Sequence, residues 1–121
     1  ETKATWSGHE INLFLSGALS DMEQLVDQAK RLFDRQSDWD AKFRDRITDD
    51  LLSLKNENWT EEDEKLLSEQ EFRERLKVDS IVIYVGDDFE AWFDDGNLFL
   101  GHSISVQGDL GGQLHKANLQ G

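Results

Sequence analysis

The sequence has 121 residues, with 26 aspartates and glutamates against 13 lysines and arginines, and it contains no cysteine. This length is typical of one domain with a single modest core, so we predict one domain over residues 1–121. The lack of cysteine excludes disulfides and thiolate metal sites, and a net charge of −13 argues against a nucleic-acid surface, which needs clustered lysine and arginine.

The first predicted element is a β-strand over residues 6–15, because its apolar side chains recur at every second position. Gly8 is the position where this strand would break or bulge. The sequence lacks a starting Met and a signal-peptide pattern, so either a leader has been removed or the first residues precede this numbering. It has no run of eighteen apolar residues. We therefore expect a cytoplasmic protein that does not enter a membrane.

Two helices are predicted next, because the apolar period changes from two to about 3.6 residues. Ser20 and Glu23 form a capping-box pattern at the start of the first helix, which extends to about Arg35. The second helix ends near residues 56–58. Its apolar stripe consists of Trp39, Phe43, Ile47, Leu51 and Leu54.

A short third helix is predicted before the C-terminal strands. A charge run at residues 60–65 has no apolar face and indicates a solvated loop or the start of a helix. Ser68 and Glu71 then repeat the capping-box pattern in front of Phe72 and Leu76.

The last third of the sequence predicts an antiparallel meander of three strands. Residues 78–85 and 89–94 alternate as two strands joined by a short turn. Asp95 and Gly96 suit a two-residue type I′ turn, because glycine adopts positive φ freely and aspartate tolerates it. The third strand would cover residues 98–106.

Together these elements predict an α+β fold. The N-terminal strand and the C-terminal meander would form an antiparallel sheet, with two to three helices packed on one of its faces. The glycine-rich residues 108–121 would add an edge strand or wrap the sheet.

His102 is the candidate for a catalytic residue. It would lie on the apolar face of the third meander strand, where a single histidine is more often structural than catalytic. Catalysis would need a carboxylate that orients the ring, and Asp94 or Asp95 could supply it. The histidines lack zinc-site spacing, and the acidic clusters at residues 87–88 and 94–97 lack the ligand pattern of an EF-hand, so no metal or cofactor is predicted.

The outer face of the sheet is the predicted partner-binding surface. Residues 78–121 carry seven acidic side chains and one basic side chain, Lys116, and a negative potential attracts basic partners. Trp92 and Tyr84 would decorate this face if the alternate side chains of residues 89–94 face the helices. An aromatic side chain inside an acidic rim is typical of a protein-binding patch. The candidate partner-binding residues are Tyr84, Asp87, Asp88, Glu90, Trp92, Asp94 and Asp95.

From residue 58 onward the sequence resembles a bacterial family known as a domain of unknown function. The positions that carry the resemblance are Trp59, Glu71-Phe72, Leu76, Ser80-Ile81, Trp92-Phe93-x-Asp95-Gly96, Phe99-x-Gly101-His102-x-Ile104-x-Val106, Gly112, Ala117, Leu119 and Gly121. This resemblance implies a small α+β domain and carries over no catalytic residue. The sequence is similar in style, though not in motif, to the immunity and antitoxin proteins of bacteria.

Three functional hypotheses remain open at the level of sequence. The first is a non-catalytic protein that binds a basic partner, such as an immunity-type inhibitor of a toxin or nuclease domain. The second is a small hydrolase-like enzyme that uses His102 with Asp94 or Asp95. In the third, the acidic charge serves only solubility. A cleft that holds His102 and a carboxylate with a perturbed pKa would favour the enzyme, and an exposed His102 outside any pocket would favour the first hypothesis.

Overall fold

The computed structural model describes residues 2–58, 66–96, 98–99 and 101–120, so the predicted charge run at residues 60–65 and the family position Trp59 lie outside the described residues. The described strands are β1 (Thr2–Trp6), β2 (His9–Ser16), β3 (Lys77–Tyr84), β4 (Asp88–Asp94), β5 (Ser103–Asp109) and β6 (Asn118–Gln120). The described α-helices, which lie between β2 and β3 in the chain, are α1 (Met22–Asp34), α2 (Gln36–Asn58) and α3 (Glu69–Arg75).

All six strands form one sheet, in which the spatial order β1-β2-β3-β4-β5-β6 follows the order in the chain. The predicted α+β fold is confirmed. The prediction of a wholly antiparallel sheet is wrong at one pair, because β2 and β3 are parallel. Parallel neighbours need a long crossover connection, and the segment that contains α1, α2 and α3 provides it.

The N-terminus forms a hairpin, so the single strand predicted over residues 6–15 is wrong. Strands β1 and β2 pair antiparallel, with Trp6 opposite His9. The two residues between them have positive φ, 50° at Ser7 and 83° at Gly8. A primed turn needs this conformation at both central positions, and glycine supplies it without strain. Gly8 is therefore the break at which the chain reverses.

The core lies between the helices and one face of the sheet. The α2 stripe predicted from the sequence points into it, and Phe43 is fully buried. The ring centroid of Phe43 lies 5.8 Å from that of Phe89 and 6.2 Å from that of Phe93, both on β4. Stacking with Trp6 at 5.9 Å extends this aromatic cluster to β1. One helix thus contacts strands from both halves of the sheet.

The two predicted capping boxes have different outcomes. The one at Ser20 is wrong: a 3₁₀ turn precedes α1, and the Asp21 carboxylate accepts a hydrogen bond from the N–H of Ala18 at 2.9 Å. The one at the start of α3 is confirmed. The Glu71 N–H donates to the Ser68 hydroxyl and the Ser68 N–H donates to the Glu71 carboxylate, each at 3.2 Å.

The connection between β4 and β5 is a loop, so the predicted two-residue turn is wrong. Asp95 is only 2% exposed, and its carboxylate accepts hydrogen bonds from the N–H groups of Phe99 at 2.8 Å and Gly101 at 3.0 Å. Gly96 has φ 58°, and a Cβ there would lie 2.4 Å from the carbonyl oxygen of Arg75. The aspartate and the glycine shape a loop that lies against α3. Asn97 and Leu100, assigned by sequence to this hairpin, lie outside the described residues.

The C-terminal segment adds the edge strand that the sequence left as one of two alternatives. Strand β6 pairs antiparallel with β5, and Gly108 makes an isolated bridge with Leu114. The N–H of Ala117 donates to the carboxylate of Asp50 on α2 at 2.8 Å. The segment therefore contacts α2 at the edge of the sheet before its last residues join the sheet as β6.

Replacing Phe43 with alanine is expected to lower the free energy of unfolding by about 3–5 kcal/mol, because a fully buried phenylalanine leaves a cavity. Urea denaturation measures the loss. The partly exposed Val26 on α1 serves as the control, since its replacement by alanine should change stability by about 0.5 kcal/mol or less. A loss below about 1 kcal/mol for Phe43→Ala would contradict the packing described here.

Candidate functional site

Strand β4 contributes side chains to both faces of the sheet. Phe89, Ala91 and Phe93 are buried against the helices. The alternate side chains, among them Glu90 and Trp92, therefore lie on the opposite face, which we call the outer face. The alternation predicted from the sequence is confirmed for this strand.

Glu90 is the centre of a hydrogen-bond network on the outer face. One carboxylate oxygen accepts from the indole N–H of Trp92 at 3.0 Å and from the hydroxyl of Tyr84 at 3.4 Å. The other oxygen accepts from the amide of Gln107 on β5 at 2.9 Å. Glu90 is only 8% exposed, and these three described partners are all neutral. The network holds a buried negative charge and fixes the orientation of the Trp92 ring.

The pKa of the Tyr84 hydroxyl is affected by this network. Partial burial is the main cause that raises the pKa of its hydroxyl above the ordinary value, and the charge and hydrogen bond of Glu90 raise it further. The neutral hydroxyl is therefore the form that the folded protein favours.

A groove of about 740 Å³ runs along the outer face beside Trp92. Paired strands form the base of the groove, because Phe14 on β2 is opposite Val82 on β3, and Ser80 on β3 is opposite Trp92 on β4. The side chains that the groove brings together include Phe14, Asp79, Val82, Trp92, Asp94 and His102. Of the residues that the structure describes, no lysine or arginine lines this groove, so its lining is aromatic and acidic.

Four of the predicted partner-binding residues lie on the outer face around this groove and the Glu90 network. Trp92 and Asp94 line the groove, and Tyr84 and Glu90 form the adjacent network. Asp88 is exposed and lines a separate cavity of about 420 Å³ that also includes Tyr84 and Gln107. The predicted surface therefore includes two neighbouring concave regions.

The remaining two predicted residues have other contacts. The carboxylate of Asp87 forms an ion pair with Arg31 on α1 at 2.6 Å, so much of its charge is neutralised. Asp95 was predicted as an exposed rim residue, but it is buried and accepts hydrogen bonds from the loop backbone. Its carboxylate organises the loop after β4.

His102 lies in the groove, so its predicted position on the apolar face of a strand is wrong. The loop after β4 delays the start of β5 to Ser103, and this shift moves His102 out of the alternating pattern. The residue is half-buried and shares the groove lining with Asp94 and Asp95. His102 and the two carboxylates thus line the same concave region, which is one part of what the enzyme hypothesis requires.

Several groove residues were not identified from the sequence. Phe14 carried a usable signal, because it is an aromatic residue at the outward position of a strand whose inward positions are Ile11, Leu13 and Leu15. No local sequence pattern identified Asp79 as a groove residue. It occupies an irregularity in the pairing of β3 with β4, where Val78 and Ser80 pair with consecutive residues.

Within the described ranges, no three or more histidine, aspartate or glutamate side chains come together as a possible metal site. In the same ranges, no helix is both long and apolar enough to cross a membrane.

A family model matches nearly the whole chain. The model of a family described as an uncharacterized protein conserved in bacteria, DUF2262, matches residues 1–119. The match extends to the N-terminal hairpin and the helices, whereas the resemblance visible in the sequence began at residue 58. Neither a curated protein nor a solved structure matches the chain.

Replacing Glu90 with glutamine is expected to lower the pKa of Tyr84, because it removes the negative charge beside the hydroxyl. The pKa should remain above its ordinary value, since burial is the larger cause of the shift. The chain has a single tyrosine, so the ultraviolet absorbance of tyrosinate during a pH titration reports on Tyr84 alone.

The same shift predicts how stability depends on pH. Because folding raises the Tyr84 pKa, the stability that the neutral hydroxyl contributes is full below the unfolded-state pKa. It is lost as the pH rises through the folded-state pKa. Circular dichroism at each pH provides the control for unfolding. An unchanged Tyr84 titration in Glu90→Gln would contradict the network.

Proposed function

The chain belongs to DUF2262, a family of uncharacterized proteins conserved in bacteria, and we propose that it is a non-catalytic protein that binds a basic protein partner through the outer face of its sheet. The observation that carries this proposal is the aromatic groove with an acidic lining beside the Glu90 network. The helices pack against the other face, so the groove opens on a side of the sheet that they do not cover.

Charge complementarity supports a basic partner. The net charge of −13 makes the whole molecule attract cations, and exposed carboxylates such as Asp88 and Asp94 concentrate negative charge on the outer face. Such complementarity raises the association rate and selects against acidic partners. Trp92 would then supply the aromatic contact that protein interfaces favour near their centre.

Within this proposal, the partner is a bacterial toxin domain such as a nuclease, and the protein is its immunity-type inhibitor. A nuclease binds phosphates through clustered lysine and arginine. An acidic protein that covers such a surface would exclude the substrate by occupying the same charges. The bacterial family and the strong negative charge both fit this role.

The test is co-expression with the product of the adjacent reading frame in the source genome. We expect that product to be basic, to arrest growth when expressed alone, and to be neutralised when this protein is present. Binding of the two purified proteins is then measured by biolayer interferometry. An adjacent product that is toxic but is neither bound nor neutralised would contradict the inhibitor role.

Reversing the charge of both Asp88 and Asp94 to lysine should slow association with this partner by about tenfold at low salt, because both carboxylates are exposed on the outer face. The matched control reverses Asp34 and Asp49, which are exposed on α1 and α2. The two double variants change net charge equally, so equal effects would indicate only a global field and no outer-face site.

A hydrolase-like enzyme is the second candidate function, and the shared groove of His102, Asp94 and Asp95 favours it. Chromogenic ester and phosphodiester substrates test this alternative directly. On the binding proposal the protein shows no turnover of these substrates. Turnover that His102→Gln abolishes, with an unchanged circular dichroism spectrum, would overturn the non-catalytic proposal.

A further inference from the structure

We propose that the groove beside Trp92 is a receptor for a single arginine side chain that projects from the basic partner. This inference rests on the proposed function and specifies its central contact. It assigns the guanidinium group to the space between the Trp92 ring and the carboxylate of Asp94, both of which line the groove.

The Trp92 ring is an aromatic surface that is already fixed in position. Its indole N–H is bonded to Glu90, and Glu90 is bonded in turn to Gln107. A side chain held in this way loses little conformational entropy when a ligand stacks on it. Donation of the N–H to a carboxylate also leaves the ring more electron-rich, which strengthens attraction to a cation above its face.

The lining of the groove has the charge that a cation requires. Asp79 and Asp94 add carboxylates at its edge, and no lysine or arginine among the described residues lines it, although Lys77 is the cross-strand neighbour of Asp94. One oxygen of Asp94 accepts from the N–H of Gly96 at 2.8 Å, which orients the carboxylate. Glu90, which accepts from the indole N–H, adds a buried negative charge whose described partners are neutral. An incoming cation would therefore gain from several fixed charges at once.

An arginine fits this site better than a lysine. The planar guanidinium can stack on an indole and donate to a carboxylate at the same time, whereas an ammonium group is compact and strongly hydrated. The groove, at about 740 Å³, is also large enough for the side chain together with the flanking backbone of the partner.

The experiment titrates the 121-residue chain with N-acetylarginine methylamide and follows the indole ¹⁵N–¹H signal of Trp92 by NMR. Weak, millimolar binding is expected. N-acetylcitrulline methylamide, which has nearly the same shape but no charge, should not shift the signal at the same concentrations. The corresponding lysine compound should bind more weakly than the arginine compound.

Two variants locate the binding. Asp94→Asn should raise the Kd of the arginine compound about fivefold, the size expected of an exposed ion pair. Trp92→Leu should have a similar effect, followed through the backbone amide of Ser103 in the groove. Asp34→Asn on α1, the matched control for charge, should leave the Kd unchanged.

The outcomes separate this inference from the proposed function. Equal binding of the arginine and citrulline compounds, or a Kd that neither Asp94→Asn nor Trp92→Leu changes, would overturn the arginine receptor. The partner could still bind the outer face in that case, and its own affinity would show this. The chain could also bind arginine selectively while neither Asp94→Asn nor Trp92→Leu changes its affinity for the partner. The partner's contact would then lie elsewhere, and the inference would be overturned as well.

Discussion

The packing of Phe43 against Phe89 and Phe93 is the interaction on which the rest of the structure depends. It fixes strand β4 against helix α2. Because side chains on a strand alternate, the same contact determines which residues of β4 face outward. Glu90 and Trp92 reach the outer face only because their neighbours are held in the core. Strand β4 therefore contributes to the core on one face and to the candidate site on the other.

Several of the residues that carry the family resemblance have structural explanations. Phe93 is part of the core, and Asp95 caps the N–H groups of the loop that follows. Gly96 is required where the backbone approaches Arg75, whose guanidinium donates to the Gly96 carbonyl. Trp92 differs from these three because its ring lies on the outer face. Within this short stretch, it is the residue on which the proposed arginine receptor depends.

The distribution of charge follows from the same layered arrangement. On the helical side, arginines are bonded to carboxylates of the chain itself, as in the pairs of Arg44 with Asp40 and Arg46 with Asp50. Arg31 also reaches across to neutralise Asp87 at the turn before β4. Among the described residues, no lysine or arginine lines the groove, and Lys77 lies opposite Asp94 in the strand pairing. The groove therefore places carboxylates next to the ring of Trp92.

The sequence by itself determined the features that depend on local periodicity. The 3.6-residue stripe of α2, the two-residue alternation of β4 and the capping box at Ser68 are each set by neighbours in the chain, and together they predicted the α+β fold. Tertiary structure decided the parallel pairing of β2 with β3, which depends on how a long helical crossover returns to the sheet. It also decided the conformation of the loop after β4, in which Gly96 approaches Arg75 of α3, Asp95 is buried and His102 lies in the groove. Contacts of this kind join distant segments, and local residue patterns do not specify them.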